Sequence, residues 1–575
     1  MNSKSNQILF IASNFSNQSD GFCNSKKTSS KVNVVLPDKP SVINIKTNEL
    51  LETGVLIGKS TGSISSIEVS IDSGEYQLAE GISSWKYKLP TGSSIWKENT
   101  THSISVRSSQ NGVYSEIETI KVKKGKNKDI NGDGYSDLII SAAERNSSQG
   151  AVYLFLSSGS EGINSSSSSN ASAIFTGLST GDNFGTAVSI GDINGDGFAD
   201  IVIGAPSRNA GAGTWQGVSY IFYSTGSNGI ASASATSANV IINGVSAGDK
   251  FGSSISIGDI NGDGFGDILI GANEKNAGIS NQGVAYIFHS TGSGGVTVTS
   301  ASSANTIITG ESGTGGRFGG YTYIGDVNGD GFGDIIIGAS NYLSNQGKVY
   351  IFHSQSTGIT INLASSANTI ISGNGGNVLF GITCLTADVN GDGYGDLIVG
   401  SSGYNSNQGV VYIFHSTSSG IIATSYANAV TTILGPSSSN FGRSLAFGDI
   451  NTDGKADILI GADTVAGVGG GAYLFIAGSN GISGTSYSNA SIGITGEVIN
   501  GQFGQSLGMT DVNGDGYSDL IIGAGQVNSG AGTGQGAAYI FNSTGTTINA
   551  NIASSASKKI IGISAGDSFS GIQAK

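Results

Sequence analysis

Asp192-Ile193-Asn194-Gly195-Asp196-Gly197-Phe198-Ala199-Asp200 carries side-chain oxygens at its first, third, fifth and ninth positions, and its seventh can offer a backbone carbonyl. Ca²⁺ takes six to eight hard oxygen ligands at about 2.3–2.6 Å, and this spacing wraps them round one centre. Gly195 and Gly197 allow a sharp turn without a Cβ clash, while Ile193 projects away to pack. Strand-like sequence flanks the stretch on both sides, and no glutamate stands at the twelfth position, so a helix–loop–helix EF-hand is disfavoured. Mg²⁺ suits the stretch less well, because an irregular cage of protein oxygens fits the larger ion. Three carboxylates converging without a cation would repel one another.

The stretch occurs seven times, starting at Asp129, Asp192, Asp259, Asp326, Asp388, Asp449 and Asp511, with offsets of 63, 67, 67, 62, 61 and 62 residues. The predicted metal ligands are Asp129, Asn131, Asp133 and Asp137; Asp192, Asn194, Asp196 and Asp200; Asp259, Asn261, Asp263 and Asp267; Asp326, Asn328, Asp330 and Asp334. To these the last three copies add Asp388, Asn390, Asp392 and Asp396; Asp449, Asn451, Asp453 and Asp457; Asp511, Asn513, Asp515 and Asp519. The sixth copy departs, with Thr452 for a glycine and Lys455 in the aromatic position; it keeps its four side-chain ligands and is expected to be a weaker site. Up to seven Ca²⁺ ions would cancel the formal charge of −14, so the acidity is no argument for basic partners. At about 1 mM Ca²⁺ and a dissociation constant near 0.1 mM, each site adds roughly 1.4 kcal/mol. Such sites hold the fold together and stay mostly empty in cytosol, which argues for an exterior location.

Each unit of about 60 residues runs Phe-Gly, a strand, Gly-Asp, the acidic loop and a strand such as Asp267–Ala272. A variable stretch, an aromatic strand such as Val284–His289 and an Ile-Ile-x-Gly strand such as Thr306–Gly310 follow. Four short strands in that length make one blade of a β-propeller, and the fold class is an all-β, seven-bladed propeller over residues 125–575. A solenoid would need polar caps. Here the ends are complementary: the first loop lacks a preceding Phe-Gly strand, and Asp567-Ser568-Phe569-Ser570-Gly571-Ile572 is an orphan one that can close the ring. Ile117–Lys123 is a rival for that place, but it is better spent in the preceding domain.

Residues 33–124 alternate apolar and polar residues in runs such as Val34–Leu36, Ser66–Ile71, Trp85–Leu89, His102–Val106 and Glu116–Val122, which reads as a small antiparallel sandwich. Residues 1–32 are a polar N-terminal segment, read as a degenerate leader or a start inside one; Ile8–Ala12 is shorter than a signal core, and no export signal is evident. No apolar stretch reaches the length of a membrane span, and no basic patch favours nucleic acid. Cys23 and Cys384 make no disulfide framework, and Cys384 reads as a buried thiol.

Phe184-Gly185, the Asp-x-Asn-Gly-Asp-Gly-x-x-Asp loop and Gly204-Ala205-Pro206 resemble the FG-GAP repeats of integrin α-chain propellers, over about residues 125–575. Trp85-Lys86-Tyr87 and His102-Ser103-Ile104-Ser105-Val106-Arg107 resemble bacterial immunoglobulin-like modules. Together they imply a bacterial secreted or surface FG-GAP protein with a role in adhesion or ligand recognition. In that family ligands meet the face opposite the calcium loops, built here from variable stretches such as Ala205–Gln216 and Ser340–Gln346. Arg208, Trp215, Lys275, Tyr342 and Tyr404 are the candidate ligand contacts. A receptor-type integrin subunit is excluded by the absence of a transmembrane helix, an inserted adhesion domain and a leg region.

The expected function is a calcium-stabilised, monomeric extracellular or cell-surface binding protein whose partner is a protein or glycan. The alternatives are a sugar-binding propeller and a polysaccharide-active enzyme. Catalysis is not expected: His289, His353 and His415 occupy one place in successive Tyr-Ile-Phe-His-Ser strands, which marks packing, and no nucleophile or zinc motif appears.

Overall fold

The computed structural model describes residues 36–573 apart from 91–95, 97–99, 279, 313–314, 466, 529–531, 546–547 and 549. Residues 1–32, Val34 of the first expected strand and Cys23 lie outside the described residues.

The N-terminal part forms two sheets. One orders Ser41–Val42, Val55–Lys59, Ser84–Lys88 and Glu80–Gly81 side by side. The other orders Leu50–Leu51, Glu118–Lys124, Thr101–Gln110, Ser66–Ile71 and Gln77–Leu78. Alternation turns Ile67, Val69, Ile104, Val106, Ile120 and Val122 inward from the second sheet, where they meet Leu56 and Trp85 of the first in one apolar cluster.

From Leu138 onward the chain is sheet after sheet. The third repeat is typical: Phe251–Gly258, Asp267–Ala272, Val284–Phe288 and Thr306–Thr309 pair antiparallel in chain order. Its two middle strands are buried along their whole length, because each sheet is sandwiched between its neighbours. The last strand alternates, with Ile308 inward. Phe-Gly and Ile-Gly-Ala meet between sheets: a Cβ on Gly271 would lie 2.0 Å from the Gly319 carbonyl oxygen of the next repeat, so no side chain fits there.

Innermost strands touch in sequence from Ala187–Gly191 to Phe503–Thr510, and Gly571–Gln573 touches both of these. Gly571–Gln573 also pairs antiparallel with Leu138–Ala142, Ile572 opposite Ile140, and so supplies the innermost strand of the first sheet. Phe569 packs on Tyr153 edge-on at 5.2 Å, as Phe251 packs on Tyr286 at 5.5 Å inside the third repeat. The rim is sealed too. The end of each outermost strand makes a parallel bridge to the next repeat, as in Asn243 to Ser300 and Thr309 to Leu363, and Ser167 to Ile561 repeats this across the seam. The competing strand Glu118–Lys124 is spent in the N-terminal sheet, against Thr101–Gln110.

Candidate metal centres

From the second copy on, each acidic stretch curls into a loop between an innermost strand and its partner, and the first stretch leads into Leu138–Ala142 directly from the sandwich. In the second loop, Gly195 and Gly197 donate their N–H groups to the two oxygens of Asp192 at 2.7 and 2.9 Å. Asn194 accepts from the Asp196 N–H at 3.1 Å and donates its amide to Asp196 at 3.1 Å. Asp196 accepts from the Phe198 N–H at 2.9 Å. Asp200 starts the next strand and accepts from the N–H of Ile193 at 3.0 Å and of Ser224 at 2.8 Å. The predicted residues of each loop are thus gathered round one backbone turn. Gly195 and Gly197 have φ of +70° and +87°, and Thr452, in the equivalent place of the sixth loop, has φ of +55°.

Among the described residues few loop carboxylates meet a cation: Lys123 pairs with Asp388, His289 with Asp267 and Lys455 with Asp453. The ninth-position aspartates are buried, and burial together with the neighbouring loop carboxylates pushes Asp334 up to about 8. Asp396 and Asp457 rise to about 7 for the same reasons. Asp137, Asp200 and Asp519 lie well above the ordinary aspartate value. Asp267 is ion-paired, its Oδ2 standing 2.9 Å from Nδ1 of His289. Among the described residues no group of three or more His, Cys, Asp or Glu side chains is close enough to hold a metal ion. The ninth carboxylate accepts backbone N–H bonds, as Asp200 does from Ile193 and Ser224, and the first, third and fifth residues bring further oxygens to the same turn. Hard oxygens only, with surplus buried negative charge, are a donor set that fits Ca²⁺.

Two features join loop to loop. The seventh-position ring lies on the fourth-position glycine of the preceding loop: a Cβ on Gly195 would come within 2.2 Å of the Phe265 ring, and one on Gly132 within 2.2 Å of Phe198. In six of the seven repeats a serine after the aromatic strand donates its hydroxyl to the second-position carbonyl of the previous loop. Ser224 bonds Ile130 at 2.6 Å, Ser290 bonds Ile193 at 2.6 Å, and Ser157 carries the pattern across the seam to Val512 at 2.6 Å. The recurring serine was visible in the sequence, but only the fold shows that it reaches the neighbouring loop. Ala477 replaces it in the sixth repeat. His289, His353 and His415 sit one place earlier in the chain, and the Nε2 atoms of His353 and His415 are buried without a hydrogen-bond partner.

The N-terminal sandwich rests on the loops, which nothing in the sequence announced. Thr53 donates to Asp129 Oδ2 at 2.8 Å, and Asn44 to the Gly134 carbonyl at 2.9 Å. Asn127 donates to the Gly197 carbonyl at 2.9 Å, and Lys46 reaches the carbonyl of Asp515. Lys128 pairs with Glu52 at 2.7 Å, and Glu52 accepts from Thr510 at 2.6 Å. Lys123 Nζ lies 2.9 Å from Asp388 Oδ2.

The five candidate ligand contacts are not gathered in one place. Arg208 pairs with Asp182 at 3.3 Å and Lys275 with Asp249 at 2.7 Å, each within its own repeat. Tyr342 and Tyr404 open equivalent short turns, Tyr342–Asn345 and Tyr404–Asn407; Lys348 stands 3.9 Å over the Tyr342 ring. Trp215 is 55% exposed, with Lys250 5.4 Å from its ring. Cys384 is a buried free thiol.

A family model described as FG-GAP repeat matches residues 129–155, 184–222, 251–288, 322–352 and 503–541, and one described as FG-GAP-like repeat matches 388–460. These repeats define the class: an all-β chain of FG-GAP repeats, consistent with a β-propeller. Integrin alpha-4 of Xenopus laevis is 31% identical over 193 residues, 33% of this chain and 18% of that protein. Integrin alpha-5 of Xenopus laevis is 30% identical over 256 residues, 41% of this chain and 22% of that protein. A phosphatidylinositol-glycan-specific phospholipase D of Dictyostelium discoideum is 31% identical over 180 residues, 29% of this chain and 19% of that protein. The chain carries FG-GAP and FG-GAP-like repeats and is similar to integrin alpha chains over part of its length. It spans about a fifth of the length of the relatives it matches. No helix among the described residues is long and apolar enough to cross a membrane.

Proposed function

We propose that this chain is a calcium-stabilised, non-catalytic binding protein of the adhesion type, working outside the cell or at its surface. The ring is read as a seven-bladed propeller over residues 125–575, preceded by an immunoglobulin-like sandwich over 33–124. Up to seven Ca²⁺ ions are held by the first, third, fifth and ninth residues of each loop. The observation that carries this reading is the repeated loop itself, with a buried ninth aspartate that among the described residues lacks a matching cation in six of seven copies. Bound calcium supplies positive charge at that point; the chain's own residues bend the backbone, orient the oxygens and exclude water. The protein or glycan ligand is placed on the face opposite the loops, where Trp215 offers an exposed aromatic surface. Relatives named integrin alpha support adhesion, and relatives named phosphatidylinositol-glycan-specific phospholipase D support an enzyme as the second reading.

The test is binding of the purified chain to panels of matrix proteins and glycans, with calcium and with chelator, alongside its thermal unfolding. Saturable binding lost on Trp215→Ala supports the ligand face. Unfolding that ignores chelator removes the calcium reading.

A further inference from the structure

All loops but the sixth are alike in sequence, yet they differ in what touches them. The Oδ2 atom of the first aspartate accepts the N–H of the sixth residue in the first loop, from Gly134 to Asp129 at 2.8 Å, and in the fifth, from Gly393 to Asp388 at 3.0 Å. The N-terminal sandwich adds one more donor to each of these two oxygens. On Asp129 it is the neutral hydroxyl of Thr53, and on Asp388 it is the ammonium of Lys123. Lys123 stands near the end of strand Glu118–Lys124, whose backbone is fixed by pairing with Thr101–Gln110. Its side chain is 21% exposed and that of Asp388 6%, so the charges meet largely out of water. Like charges repel more strongly where water is scarce. Burial raises Asp133 and Asp192 above the ordinary aspartate value, and Lys86 and Lys124 offset this only in part from a distance; among the described residues neither lysine makes an ion pair with a loop carboxylate.

A cavity of about 330 Å³ lies beside this pair, between the sandwich and the fifth and sixth loops. Leu50 and Val122 line it from one side, and Phe447, Asp388, Asp392 and Asp449 from the other. The fifth loop is therefore reachable by a small ion while its first carboxylate already holds a cation belonging to the chain.

Resting on the calcium reading of the loops, we infer that Lys123 is an internal competitor of the divalent ion at the fifth loop, so that ion binding there and docking of the N-terminal sandwich oppose each other. The ammonium cancels one of the loop's carboxylate charges and repels a dication. By linkage, an ion that does enter weakens the hold of Lys123 by the same factor. Among the loops of regular sequence the fifth, Asp388-Val389-Asn390-Gly391-Asp392-Gly393-Tyr394-Gly395-Asp396, thus has a lysine of the sandwich on its first aspartate, whereas in the irregular sixth loop Lys455, which also lines the cavity, pairs with the loop's own Asp453.

The test counts calcium ions on the full chain by native mass spectrometry across a series of free-calcium concentrations. Lys123→Met removes the charge and keeps much of the stem; Lys123→Arg keeps the charge. The wild-type chain and Lys123→Arg are expected to fill one site at least tenfold more weakly than Lys123→Met. The ion gained by Lys123→Met should vanish in Lys123→Met/Asp388→Asn, which assigns it to the fifth loop. Hydrogen exchange gives a second readout: saturating calcium should speed exchange in Glu118–Lys124 of the wild-type chain and leave Lys123→Met unchanged. Equal ion counts and affinities in wild type and Lys123→Met overturn the inference while the calcium reading stands. A gain in Lys123→Arg equal to that in Lys123→Met also overturns it, since charge would then not be the cause. If no variant binds any ion, the calcium reading falls and this inference with it.

Discussion

The third and sixth repeats have the same four strands and the same loop, yet the sixth lacks three devices that the third uses. Gly262 of the third loop sits at φ +71° beneath the Phe332 ring, whereas the sixth has Thr452 at +55°. The aromatic Phe265 becomes Lys455, whose ammonium lies 3.6 Å from Asp453 Oδ2. The serine latch Ser290 becomes Ala477. The sheet is unharmed: Leu445–Gly448, Asp457–Ala462, Gly471–Phe475 and Ile492–Thr495 pair as elsewhere. The devices are therefore increments on a geometry that the apolar strands and the ring already impose. Removing one from the third repeat and restoring one to the sixth should act in opposite directions.

The largest effect should come from removing calcium altogether, which treats both repeats alike. The melting temperature of chelated protein is expected to fall by about 10 °C or more, read by calorimetry. A smaller fall than in a variant lacking only the sixth loop's Asp449 would break the view that the regular loops contribute most. Next is Gly262→Ala, whose Cβ would come within 2.5 Å of the Phe332 ring at a positive φ; it should cost about 2–3 kcal/mol in denaturant unfolding. Ser290→Ala leaves the Ile193 carbonyl without its 2.6 Å partner and should cost about 1–2 kcal/mol. The sixth repeat should answer with the opposite sign. Thr452→Gly is expected to stabilise by about 0.5–1 kcal/mol, and a loss of stability there would show that Thr452 has a role of its own.

The smallest effect concerns a feature the two repeats share. Glu311 follows the outermost strand of the third repeat and pairs with Lys348 at 2.9 Å; Glu497 does the same in the sixth, meeting Lys559. Burial alone would raise both carboxyls, but the lysine and a tyrosine hydroxyl outweigh it and hold them below the ordinary glutamate value of 4.5. A carboxyl held lower in the folded state contributes stability above pH 4.5 and loses it as pH falls through the folded value. Glu311→Gln and Glu497→Gln should therefore each flatten the acid limb of stability slightly, and to a similar degree.

The loops were legible because their chemistry sits at fixed spacing and repeats, and the seam because Phe569 and Gly571 form an orphan copy of a recurring pair. Strand limits followed from the alternation of Ser66–Ile71 and the continuous burial of Asp267–Ala272. The docking of the sandwich was not legible, since Asn44, Thr53 and Lys123 are single polar residues with no period to mark them. Arg208 and Lys275 are candidate ligand contacts by sequence, and the structure adds that each faces the aspartate of its own Gly-Asp turn, Asp182 or Asp249. The pairing had a signal, because basic residue and aspartate recur together: Arg145 and Asp567 stand in the same relation across the seam and interact electrostatically.

Seen as a mechanical part, the seam sets how the ring carries load. Among the described residues three residue pairs, Ile139–Gln573, Ile140–Ile572 and Ser141–Gly571, stitch strand Gly571–Gln573 to the first sheet. Tension applied to that strand along its length would shear these pairs together, whereas tension across it would peel them one at a time. A tether fused behind residue 573 would therefore make the ring's opening depend on the direction of pull, and the rim bridge from Ser167 to Ile561 would be the next stitch to meet the force.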